Sequence, residues 1–130
     1  MQKLNLKNIC INYIIENNIV IKEFDIPYNL FLLITNLIKI KELKKTKTMK
    51  TSELYQIYSD ITFFRNRSVF YYNLSKTNIS HILELKFLTK HIKFERIVQN
   101  LLKEVKTLKL EIIYCNTNII YFEKYLKLYD

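Results

Sequence analysis

Four side chains in this 130-residue sequence have the chemistry of a nucleophile, a base or a soft metal ligand: Cys10, Cys115, His81 and His91. Helical metal sites place two histidines four apart, so that both imidazoles leave one face. His81 and His91 are ten apart, and they read as surface imidazoles. Neither cysteine has a second Cys or a His at a zinc spacing, and two cysteines do not make a disulfide framework. No Ser, His and Asp set is evident, and the acids are mostly interspersed with lysines on helix surfaces. The chain is therefore expected to be no enzyme, with no cofactor and no bound metal. Without a reactive role, Cys10 is a small, usually buried hydrophobe. It sits in "LNLKNICINYIIENN", four residues after Leu6 and four before Ile14. That apolar stripe is either the inner face of a core helix or a helix that docks on a partner.

The elements that would hold such a stripe follow from composition. Half of the residues are apolar, enough for one chain of this length to bury a core. There is no Gly, no Trp and one Pro, against ten Tyr and eight Phe. Phosphate-cradling loops and dinucleotide fingerprints need glycine where the backbone approaches the ligand, so those nucleotide-binding classes are excluded. The formal charge of +9 favours nucleic acid, acidic partners or an anionic surface. Six lysines against Glu42 alone lie in "KIKELKKTKTMK", Lys39 to Lys50. There Lys44, Lys45 and Lys47 are candidate phosphate contacts, but a solvated linker between helices is the favoured reading. No aromatics interleave these lysines as a single-strand platform requires. The N-terminus lacks a secretory pattern, and the most apolar window, Ile26 to Ile38, is too short to span a bilayer. An intracellular, reducing location and no membrane partner are expected.

Periodicity predicts a mainly α fold. Leu6, Ile9, Cys10, Tyr13 and Ile14 keep helical spacing over about Asn5 to Asn17, with Asn17 and Asn18 as the stop. Asp25, Ile26 and Pro27 mark the entrance to a second helix carrying Leu30, Leu33, Ile34 and Leu37. A loop over the lysine run and a third, short helix from Thr51 or Ser52 follow, the latter burying Leu54, Ile57, Tyr58 and Ile61. "TFFRNRSVFYYNLSKTN" reads equally as a hairpin or a bent helix. From Ser80 a long helix is expected, with Ile82, Leu85, Leu88, Ile92, Phe94, Ile97, Val98, Leu101, Leu102, Val105 and Leu108 in period. The tail is read as helix over Ile119 to Leu128, with a short β-hairpin about "CNTN" as the alternative.

Three segments, in order, resemble a known family. Leu6, three residues, Cys10, three residues, Ile14 is similar to the BC-box, the helix that docks on elongin C. "DIPYNLFLLITNLI" resembles the entrance and following helix of the Elongin A family, and "KTSELYQIYSD" its next short helix. The resemblance covers roughly Leu4 to Asp60. The family's usual Trp after the third element is absent, and Phe63 or Phe64 would fill that volume. What the resemblance implies is a non-catalytic, nuclear adaptor, part of an RNA polymerase II elongation factor and of a cullin-type ubiquitin ligase. Its partners would be elongin C, with elongin B, then a cullin and the polymerase. Leu6, Ile9, Cys10 and Ile14 would face elongin C, while Ile26, Pro27, Tyr28 and Leu30 would form a second box near a cullin. On this reading residues 1–62 are the BC-box/F-box-like region and residues 63–130 a helical extension packed on it. The alternatives are a basic helical nucleic-acid-binding protein, carried by Lys39 to Lys50, Arg65 and Arg67, or a viral or parasite host-interaction module using the same docking box.

Overall fold

With no glycine and its one proline at position 27, the chain has nothing after that point that must interrupt a helix. A computed structural model describes residues 6–22, 25–77 and 80–127. It contains three helices: α1 (Leu6–Glu16), α2 (Tyr28–Ser75) and α3 (His81–Leu126). The fold is mainly α, as periodicity predicts. Among the described residues there is no strand, and none of the helices is long and apolar enough to cross a membrane.

The ends of the helices are local chemistry. Asn18 takes a φ of 52°, a left-handed conformation that Asn tolerates better than most residues. The amide of Ile19 then donates to the Ile14 carbonyl at 3.1 Å, and that of Asn18 to the Ile15 carbonyl at 3.3 Å. This pair of bonds satisfies the last carbonyls of α1 as a Schellman motif does. Pro27 precedes α2, and its carbonyl accepts the Phe31 amide at 3.0 Å. Ser80 caps α3: its Oγ accepts the Leu83 amide at 3.4 Å and its carbonyl the Glu84 amide at 3.0 Å.

Two sequence expectations are corrected. The lysine run is not a linker and Thr51 starts no new helix, because all of Tyr28–Ser75 is one helix of 48 residues. Lys, Glu, Leu and Met are good helix formers, and nothing in the run competes for the backbone. The alternative of a hairpin about "CNTN" also fails, since α3 runs through those residues. Asn118 donates its side-chain amide to the Tyr114 carbonyl, which keeps its polar group within the helix.

The chain forms two compact units, Met1–Lys47 with Tyr114–Asp130, and Thr48–Ile113. In the second unit α2 and α3 are antiparallel: Lys50 meets Glu111, Ser68 meets His91 and Glu95, and Tyr71 stacks near Phe87. Its core joins Ile57 and Ile61 to Val98, Val105 and Leu108, flanked by Leu54, Phe64, Leu101 and Leu102. Inward positions on α2 alternate by three and four, from Leu54 through Ile57, Ile61, Phe64, Ser68 and Tyr71 to Ser75. On α3 the set Phe87, His91, Phe94, Val98, Leu101, Val105 and Leu108 does the same. That is a seven-residue repeat, the spacing that keeps one seam facing a partner helix.

The first unit buries Ile11 of α1, Ile34 and Ile40 of α2, and Cys115 and Ile119 of α3. Lysines tie its helices together. Lys41 Nζ donates to the Ile15 carbonyl at 3.2 Å, Lys47 Nζ to Asn116 Oδ1 at 3.0 Å, and Lys44 pairs with Glu123 at 3.4 Å. Asn36 Nδ2 is buried among the described residues of this unit with no hydrogen-bond partner, which costs stability on the order of 1–3 kcal/mol.

Candidate functional site

Helix α1 carries apolar residues on two opposite faces, and among the described residues only one of them is packed. Ile11 is buried, and Ile14 and Ile15 are half-buried. At 3.6 residues per turn, the Ile11 and Ile15 direction lies about 170° from the mean direction of Leu6, Ile9, Cys10 and Tyr13. Those four are exposed: Leu6 at 76%, Ile9 at 51%, Tyr13 at 62%, with Cys10 also on the surface. The stripe read from the sequence is thus divided. Its first four members face outward, and Ile14 lies toward the packed side.

The second box is also divided. Ile26 and Leu30 are half-buried, while Pro27 and Tyr28 are exposed. Beside it lies a cavity of about 330 Å³ lined by Ile15, Ile19, Val20 and Phe31 together with the polar Thr35 and Glu42. The "ELYQIY" segment lies inside α2 and not on a separate short helix; Leu54 and Ile57 face inward, and Tyr55 and Tyr58 outward.

Of the three candidate phosphate contacts, Lys44 pairs with Glu123 and Lys47 is half-buried against Asn116, whereas Lys45 is exposed. The structure therefore puts two of the three into contacts within their own unit.

Sequence reading missed one polar cluster. His81 is exposed as expected, but His91 is not a surface imidazole. Its Nδ1 lies 3.0 Å from the Ser68 carbonyl and 2.8 Å from Ser68 Oγ. A carbonyl only accepts, so Nδ1 carries the proton and donates. The Ser68 hydroxyl, fully buried, donates in turn to Glu95 Oε1 at 2.5 Å. Tyr72 lies against the imidazole with ring centroids 5.2 Å apart. Here the acid accepts a hydrogen bond from the serine and does not orient the histidine, and the serine has no access to solvent, so the geometry differs from a hydrolytic triad. The available signal was the position of Ser68 and His91 on the inward seven-residue spacing of their helices. Among the described residues no group of three His, Cys, Asp or Glu is placed to hold a metal.

Comparison with protein-family models, with curated proteins and with solved structures finds no match to this chain, so the assignment of roles rests on its own residues.

Proposed function

We propose that the chain is a non-catalytic adaptor that presents the Leu6, Ile9 and Cys10 face of α1 to elongin C. The observation that carries this reading is the outward apolar face of α1, set against an inward face that already anchors the helix through Ile11. Leu6, Ile9, Cys10 and Tyr13 lie together on the solvent side, clear of the face that Ile11 buries. An amphipathic helix laid in an apolar groove uses such a row at i, i+3, i+4 and i+7. The resemblance of these residues to a BC-box names the groove. Ile14, half-buried, sits at the edge of that row, and Tyr28 is the exposed member of the second box. Nuclear location, a cullin and RNA polymerase II follow only from the resemblance and belong to this proposal as its outer layer.

The test is co-expression with elongin B and elongin C, followed by co-purification. The expected result is a complex that Leu6→Asp abolishes while the helicity of the isolated chain is unchanged. Retention of the complex by Leu6→Asp removes the docking assignment.

A further inference from the structure

We infer that the second unit carries a single-stranded nucleic-acid surface made by Phe63, Arg67 and Phe70 of α2 with Lys86, Lys90 and Lys93 of α3. This goes beyond the docking role of α1 and uses none of its residues. The aromatic interleaving that the lysine run of residues 39–50 lacks is present here.

A continuous set of ring contacts supports the surface from beneath. Phe64 stacks on Phe94 at 5.9 Å, Phe94 on Tyr71 at 5.7 Å, and Tyr71 on Phe87 at 6.1 Å. Two further rings extend outward from this base: Phe63 meets Phe64 edge-on at 5.2 Å and Phe70 meets Tyr71 at 5.3 Å. Phe63 and Phe70 are 52% and 53% exposed, so half of each ring is offered to solvent. Cations lie over the same rings. Arg67 stands 5.3 Å from the Phe63 centroid, and Lys90 Nζ 5.0 Å from that of Tyr71. Lys86 and Lys93, both exposed, are one turn to either side of Lys90 on the same helix face.

Charge points to a polyanion. None of Arg67, Lys86, Lys90 and Lys93 joins an ion pair among the described residues. The two acids nearest in sequence to these lysines are turned to other partners: Glu84 lies 3.7 Å from His81, and Glu95 accepts the Ser68 hydroxyl. Exposed rings beside unpaired cations match what an unpaired strand needs, a π-face for bases and positive charge for phosphates. A duplex hides its base faces and would leave the phenylalanines unused.

Fluorescence anisotropy of the whole chain with labelled dT30 and rU30 tests this. Binding at 50 mM salt should weaken roughly fiftyfold at 200 mM if four cations meet phosphates. Phe63→Ala with Phe70→Ala should cost about thirtyfold or more at fixed salt, one stacked base lost per ring, without changing the salt slope. Lys86→Gln with Lys93→Gln should instead flatten the slope, by about 1.4 in log–log terms. All these positions are exposed, and circular dichroism checks that each variant keeps its helicity. No binding to either strand at 50 mM salt overturns the inference. So does equal or tighter binding of a blunt duplex, preference for anionic vesicles over dT30, or wild-type affinity and slope in both double variants.

Discussion

Leu6→Ala separates docking from folding, because the structure gives this side chain little to do within its own chain. Leu6 is 76% exposed. The substitution removes three carbons, about 2.4 kcal/mol if fully buried at ~0.8 kcal/mol per methylene. Scaling by the exposed share leaves about 1.8 kcal/mol to be gained on docking, roughly a twentyfold rise in Kd. Stability of the isolated chain should move by no more than about 0.5 kcal/mol, as for other surface positions. Ile11→Ala is the contrast: Ile11 is 5% exposed, and emptying its site costs about 2–5 kcal/mol. Titration calorimetry against the elongin B–C complex reads the first effect, and amide exchange across α1 reads the second. An affinity within twofold of wild type for Leu6→Ala refutes the reasoning. Loss of α1 protection in that variant does so equally, because it would make Leu6 a structural anchor.

Other substitutions test the interior. Ser68→Ala leaves the Glu95 carboxylate without its buried donor and should destabilise the second unit by about 1–3 kcal/mol, read as a lower urea midpoint. Asn36→Leu removes a buried Nδ2 that has no hydrogen-bond partner and should raise the thermal midpoint, by the equivalent of about 1–3 kcal/mol; a lower midpoint would mean that this group is satisfied in solution. Asn18→Gly should slow amide exchange at the end of α1 and Asn18→Val should speed it, since a β-branched residue at a φ of 52° is strained.

Most of the helical content was legible because its signal is periodic and strong. The helix expected from Ser80 recurs as α3, but its inward face differs in the first half: Ile82, Leu85 and Ile92 are exposed, while Phe87 and His91 turn inward; the Asn17–Asn18 stop recurs as a left-handed Asn18. The lysine run was misread for a physical reason. Charge density speaks to solvation, whereas helix continuity depends on backbone propensity and on the residues that face inward. Ile40 is buried in that run, Leu43 is half-buried, and the long stems of Lys47 and Lys50 lie partly covered with their charges satisfied at Asn116 and Glu111. The candidate site was only half legible. Spacing located an apolar stripe on α1, but a helix with apolar residues on opposite sides does not say which side its own chain will take. The seven-residue spacing marks Ser68 and His91 each as inward on its own helix, but spacing within one helix does not say that the two meet.

The Ser68 cluster also bears on how α2 and α3 are aligned within the second unit. The aliphatic half of the seam, with its seven-residue repeat, would tolerate sliding by one repeat, since Ile and Leu meet Val and Leu in either alignment. Even Lys50 would keep a carboxylate, meeting Glu104 in place of Glu111. The same slide would carry His91 into the place of Val98, a position 2% exposed beside Ile61. A slide the other way would set the Ser68 hydroxyl against Val98 and Leu102. One buried serine and one histidine thus act as a key against either slide, beside the ring stack of Phe64, Phe94, Tyr71 and Phe87.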